Sequence, residues 1–300
     1  MPDPGGADPE GTVPRWPRVE RLDAERMAAA VREATGVALR VEGPCAGGQV
    51  GAAYVTWPDG HRSVLKWRPG VVVADLRDGP LAVAAAAAAT GYPAPAVELA
   101  VQAGDAVVSV WELLPGAPVP EFTAGLLAEA LALNERQAGL LAGHRSIPPV
   151  DLYLTRDGPG FCLAAPLREH SDRTRALHRW ITAVGAANPR CLAGDDAVHC
   201  DFQPTNILAA GGHITGIIDW DGAARGDRRL DLVTLRFGLH SEPAAPGVVS
   251  RLDLILGDLP AGVLAPLWAH MSLRMTDWAI RHFTPADVDH WLDLAEQHAH

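Results

Sequence analysis

Lysine is almost absent from this chain. Lys66, in the stretch SVLKWRPG, is the only one among 25 Lys and Arg residues. A chain that answers every other need for a cation with arginine raises the question of what an ammonium does at this one place. A positive charge balance is missing as well. The formal net charge is −11, which argues against a nucleic-acid binder, because phosphate backbones need grouped cations. The same charge favours a cationic small-molecule partner. Cysteine is sparse: Cys45, Cys162, Cys191 and Cys200 form no Cys-x-x-Cys pair and no zinc-like spacing. They read as small buried or idle thiols in a reducing compartment.

Long apolar runs are also lacking. The alanine run 84–89 is too short and too weakly apolar to cross a bilayer, and MPDPGGADPEGTVPRWP has no apolar centre of a secretory signal. A soluble cytoplasmic protein without membrane contact is the expectation. Neither Gly-x-Ser-x-Gly nor His-Glu-x-x-His occurs, so a serine hydrolase of that type or a zinc protease has no local support. His282, His290, His298 and His300 lack a framework of cysteines and carboxylates and read as helix and tail residues.

What is present is a globular composition, 48% hydrophobic and 20% charged, with a change of character partway along. Residues 1–17 read as a tail. A helix is expected over 23–35, stopped by Gly36, followed by strands in VALRVEG, AAYVTW and SVLKW, the last two joined by a WPDGHR turn. A short alanine helix over 81–89 precedes two more strands, AVELAVQ and AVVSVWEL. Beyond LLPGAP helices dominate: from Thr123 to about 142, then near 174–186, 228–239, 246–256, 261–282 and 285–298. The predicted organisation is α+β. It has a strand-rich lobe over 18–112, a connection over 113–117 and a mainly helical lobe over 118–300.

The segment carrying chemistry is HCDFQPTNILAAGGHITGIIDWD, residues 199–221. Gly211-Gly212 is a hairpin turn, so the strands on either side run antiparallel. Asn206, which opens the first strand, and Asp219, which closes the second, then come to the same end, beside the loop bearing Asp201. Two carboxylates and an amide there suit Mg²⁺, which prefers oxygen donors and shared substrate phosphates.

HCDFQPTN resembles the His-x-Asp-x-x-x-x-Asn catalytic loop of the aminoglycoside phosphotransferase family, and IIDWD its metal-binding segment. The resemblance covers nearly the whole chain and implies a two-lobed fold similar to the protein kinases. It further implies transfer of a phosphoryl group from ATP or GTP, with Mg²⁺, to a hydroxyl. By resemblance, Asp201 is the base or orienting residue, and Asn206 and Asp219 are the metal ligands. Lys66 meets the nucleotide phosphates, Gly47 and Gly48 let backbone N–H groups approach them, and adenine pairs with the Glu112 carbonyl and the Leu114 N–H above Leu208 and Ile218. His199 reads as a prop for the loop and Asp231 as its brace, while Asp221 is open between metal support and hairpin support.

One departure stands out. The family's lysine usually pairs with an acid on the small lobe's helix, but here that helix reads LAVAAAAAAT. Either Asp75 or Asp78, just upstream, remakes the pair with a shorter reach, or Lys66 is held less firmly. For the acceptor, the excess of acid after residue 240 (Glu242, Asp253, Asp258, Asp277, Asp287, Asp289, Asp293, Glu296) suggests a cationic antibiotic such as an aminoglycoside or basic peptide. Asp277, in MSLRMTDWAIRHF, is its first candidate contact. The alternatives are a choline, homoserine or sugar kinase of the same fold, or a degenerate nucleotide-binding module. Nothing in the sequence speaks to oligomeric state.

Overall fold

The computed structural model describes residues 21–46 and 50–299. The expected tail, and Gly47 and Gly48 with it, lie outside them. The first lobe is a five-stranded antiparallel sheet formed by β1 (Arg40–Pro44), β2 (Ala53–Thr56), β3 (Arg62–Pro69), β4 (Val97–Ala103) and β5 (Ala106–Glu112), in the order β1-β2-β3-β5-β4. Helix α1 (Ala24–Thr35) covers one face. It starts where the Asp23 side chain accepts the Arg26 N–H at 3.1 Å and ends at Gly36, whose φ of 77° suits a residue without Cβ. Its Met27 and Val31 pack with Val55, Leu65, Trp67, Val108 and Val110.

Alternation along β3 sends Ser63, Leu65 and Trp67 to that buried face and Val64, Lys66 and Arg68 to the other. On that other side lies α3 (Pro80–Ala89), preceded by a six-residue helix, α2 (Val73–Asp78). Val83, Ala84 and Ala87 of α3 are fully buried and belong to the same core as the helical lobe. The two lobes therefore share packing through an alanine surface.

After β5 the chain passes through Gly116 into a short strand, β6 (Ala117–Pro118). Gly116 has φ of 106°, and a Cβ there would lie 2.9 Å from the Ala209 carbonyl oxygen. The helical lobe follows with α4 (Ala124–Arg136), α5 (Ala164–His170), α6 (Asp172–Ala187), α7 (Arg229–Gly238), α8 (Val248–Gly257), α9 (Ala261–His282) and α10 (Pro285–Ala295). Strand β7 (Asp196–Val198) pairs with β10 (Ala224–Gly226), and between them lies the hairpin of β8 (Ile207–Ala210) and β9 (His213–Ile217). Gly211 and Gly212, with φ of 60° and 85°, make its turn.

Helix α4 stops short of the expected residue 142 for a tertiary reason. The Gln137 carbonyl accepts the Ala197 N–H at 3.1 Å, and Leu141 donates to the Asp195 carbonyl at 2.8 Å. Backbone groups that would have extended the helix are taken by the β7 region. Helices α2 and α5 were not expected; one is six residues long and the other carries Pro166 near its start. Among the described residues no helix is long and apolar enough to cross a membrane.

Candidate active site

The hairpin brings Asn206 and Asp219 to one end, as its antiparallel register requires. Ile207 stands opposite Ile217, and the Ile218 N–H donates to the Asn206 carbonyl at 2.9 Å. Asn206 is nearly buried, and its amide donates to the Asp201 carboxylate at 2.8 Å and to the Asp201 carbonyl at 2.9 Å. Gln203 adds a third donor, Nε2 to Asp201 Oδ2 at 3.1 Å. Burial pushes the Asp201 carboxyl up, while the nearby Arg274 guanidinium opposes that shift.

Two bends shape this end of the site. Cys200 and Asp219 both lie in the left-handed region, at φ of 65° and 70°, a conformation that costs a non-glycine residue about 1–2 kcal/mol. Fixed neighbours hold them there. The buried Asp231 carboxylate accepts the His199 N–H at 2.8 Å, the Cys200 N–H at 2.9 Å and the Gln137 amide at 2.9 Å. Trp220, fully buried after Asp219, donates its indole N–H to the Ile217 carbonyl at 2.7 Å and meets His199 and Tyr92 edge-on.

His199 is fixed as a neutral ring. Nε2 lies 2.9 Å from the Ile218 carbonyl, and so carries the proton, while Nδ1 accepts the Asp201 N–H at 3.2 Å. Burial drives its pKa down. The ring orients the loop and has no lone pair to spare as a base.

Lys66 crosses between the lobes. Its ammonium donates to Asp219 Oδ1 at 2.5 Å and forms a second ion pair with Asp221. Burial works against the ammonium, but Asp221 and Asp219 together outweigh it and hold the group well above the usual lysine range. Lys66 in turn holds Asp219 below the usual carboxylate range. Asp75 and Asp78 make no ion pair with Lys66, so the expected substitutes on the small lobe are replaced by carboxylates from the other lobe.

The donor set suits a hard cation. Asn206 Oδ1 and the Asp219 carboxylate offer oxygen atoms at one strand end, beside the lysine and the loop aspartate. Among the described residues, no group of three or more His, Cys, Asp or Glu side chains could hold a metal by itself. A Mg²⁺ bound here would depend on nucleotide phosphates and water for its remaining oxygen ligands.

The remaining expected contacts are distributed as follows. Glu112 closes β5, its N–H donating to the Ala96 carbonyl and its carboxylate accepting the Ala96 N–H. Leu114 lies against Gly216 of the hairpin, so close that a Cβ on Gly216 would come 2.8 Å from Leu114 Cδ1. Leu208 is buried and Ile218 half-buried at the same hairpin, below the inter-lobe connection.

Asp277 is not at an open acceptor surface. It is fully buried, accepts the Leu163 N–H at 2.8 Å and pairs with Arg281 at 2.8 Å. Its place on an apolar helix made it an internal brace rather than a contact for solutes. Most of the acid after residue 240 is likewise engaged. Arg236 takes Asp253, Arg173 gathers Asp289, Asp293 and Glu296, and Thr284 donates to Asp287.

Two arginines at the site were not anticipated. Arg68 Nη1 donates to the Asp221 carbonyl at 2.5 Å, and its spacing of two from Lys66 on a strand was the signal that could have revealed it. Arg274 donates to the Cys200 carbonyl at 2.6 Å and lies 3.7 Å from the Asp201 carboxylate. No local pattern announces that contact.

A five-stranded antiparallel lobe set over a mainly helical lobe is the two-lobed kinase-like fold, and here the lysine of the first lobe reaches aspartates of the second. The sequence profile of the phosphotransferase enzyme family matches residues 43–259. The chain belongs to that family: it is a phosphotransferase, a kinase with an alcohol group as acceptor.

Solved structures agree on the fold. A thermostable mutant of aminoglycoside phosphotransferase APH(4)-Ia, in ternary complex with AMP-PNP and hygromycin B, superposes with a TM-score of 0.61 at 15% identity, over 92% of this chain and 98% of the other. A protein described as a fructosamine-3-kinase, from Thermobifida fusca, superposes with a TM-score of 0.55 at 18% identity, over 91% and 97%. Comparison with curated protein sequences found no match.

Proposed function

We propose that the cleft between the lobes transfers the γ-phosphoryl group of ATP, or of GTP, to a hydroxyl of a small molecule. The observation carrying this reading is the Asp201 carboxylate, fixed by Asn206 and Gln203 next to Asp219 and Lys66. Phosphoryl transfer asks for position and charge neutralisation more than for covalent chemistry, and this arrangement supplies both. Asp201 orients the acceptor hydroxyl and takes its proton. Asn206 and Asp219 would hold Mg²⁺, which when bound neutralises charge on the phosphates. Lys66 meets those phosphates from above, Gly47 and Gly48 offer backbone N–H groups, and adenine lies at Glu112 and Leu114 over Leu208 and Ile218.

For the acceptor, we favour a hydroxyl metabolite over a polycationic antibiotic. Six of the eight carboxylates that suggested a polycation are occupied by arginines or a cap, and the charged group nearest Asp201 from the acceptor side is Arg274. The antibiotic reading keeps its support from the fold shared with APH(4)-Ia, whose complex holds hygromycin B.

Nucleotide turnover with Mg²⁺, measured against panels of basic antibiotics and of amino-alcohol, amino-acid and sugar metabolites, separates the readings. Turnover with metabolites alone supports the first, and turnover with antibiotics alone reverses the preference. Nucleotide binding without turnover of any acceptor would favour a binding module. If Asp201→Ala retained turnover within a few-fold, the mechanism would be wrong.

A further inference from the structure

Lys66 is held by two carboxylates, and they are not equivalent. Asp219 is the one that the proposed reaction gives to the metal, and its side chain is 44% exposed at the cleft. Asp221 has no metal role in that reading and is 21% exposed. It is also gripped from the same strand face: Arg68, two residues beyond Lys66 on β3, donates to the Asp221 carbonyl at 2.5 Å. Lys66 and Arg68 thus hold the side chain and the backbone of one residue.

The packing explains why this residue can come so close. Helix α3 carries no acidic residue, and it packs directly on the turn Trp220–Gly222. Val83, Ala84 and Ala87 are fully buried in the core that also holds Trp220. Methyl groups keep the contact between helix and turn short, and a long acidic side chain on that face would have to be accommodated between them. The turn presents its own carboxylate to the lysine instead.

We propose that Asp221 is the positioning residue for Lys66. It holds the ammonium in place when Asp219 is drawn to the metal, and because it belongs to the opposite lobe, the lysine is set only when the lobes are together. The role of Lys66 toward phosphates rests on the phosphotransferase reading, but the anchoring itself can be tested without turnover.

Since Lys66 is the only lysine, its reaction with an N-hydroxysuccinimide ester, followed by peptide mass spectrometry of the nucleotide-free protein, reports on one side chain. The acylation rate should rise at least fivefold in Asp221→Asn, rise less in Asp219→Asn, and stay within twofold of wild type in Asp75→Asn. Asp221→Glu, which keeps a carboxylate, should restore protection and so separates anchoring from misfolding. Greater release by Asp219→Asn than by Asp221→Asn, or no protection by Asp221→Glu in a folded protein, overturns the proposal. Once an acceptor is found, Asp221→Asn should lower kcat at least tenfold with nucleotide Kd changed less than threefold. That loss should vanish in a Lys66→Met background; an equal loss there would also overturn it. If no acceptor is ever turned over, the acylation result still decides the anchoring.

Discussion

Arg274, on α9, donates through Nη1 to the carbonyl of Cys200 at 2.6 Å, across a separation of 74 residues. Cys200 is the residue with φ of 65° that turns the loop toward Asp201. The helical lobe thus holds the loop that carries Asp201 at a residue in the left-handed region. A hydrogen bond from a charged donor contributes about 1.5–3 kcal/mol. Arg274→Met should therefore lower kcat by about ten- to a hundredfold, with nucleotide KM little changed. Steady-state kinetics at varied nucleotide concentration measures the split, and a loss confined to nucleotide KM would contradict it.

Lys66→Arg tests the question posed by the lone lysine. The guanidinium keeps the charge but is planar and broader, and the ammonium here sits between two carboxylates. Turnover should fall at least about tenfold, equivalent to about 1.4 kcal/mol. Near-normal turnover would mean that any cation serves at this position.

His270 makes stability depend on pH. It is buried on α9, bonded through Nδ1 to the Leu152 carbonyl at 2.8 Å, and burial pushes its pKa down to about 4. In the unfolded chain the ring has a pKa of about 6.5 and takes a proton that the native ring refuses. The folded-state pKa is the lower one, so this contribution is intact above pH 6.5 and is lost as pH falls from there to about 4. The loss amounts to about 3 kcal/mol. Urea unfolding at pH 7 and pH 4.5 measures it, and His270→Gln should flatten the difference.

Gly116 is expected to resist substitution. Its φ of 106° and the 2.9 Å approach of a would-be Cβ to the Ala209 carbonyl leave no room for alanine. Gly116→Ala should cost about 1–3 kcal/mol, visible as a lowered thermal midpoint. Gly139→Ala, at a positive φ but with nothing within 4 Å of a Cβ, should cost less.

How far the sequence could be read depended on distance along the chain. The convergence of Asn206 and Asp219 was legible because strand alternation and the Gly211-Gly212 turn are local and impose register. The brace role of Asp231 was legible through resemblance, although its three N–H donors come from Gln137, His199 and Cys200. Asp277 was misplaced, yet Arg281 four residues later was the local sign of an internal helix pair. The early end of α4 was not legible, since it is set by hydrogen bonds to residues near 195–197.

By itself, then, the sequence determined most of the longer elements, the hairpin that brings Asn206 and Asp219 to one end, and the identity of one lysine on the strand face that looks across the cleft. Only the tertiary structure decided what that lysine meets. Ion pairs are short-ranged, so partners in different lobes are chosen by how the lobes dock. Here docking runs through a helix of alanines, which lets Asp219 and Asp221 reach Lys66 where no glutamate stands.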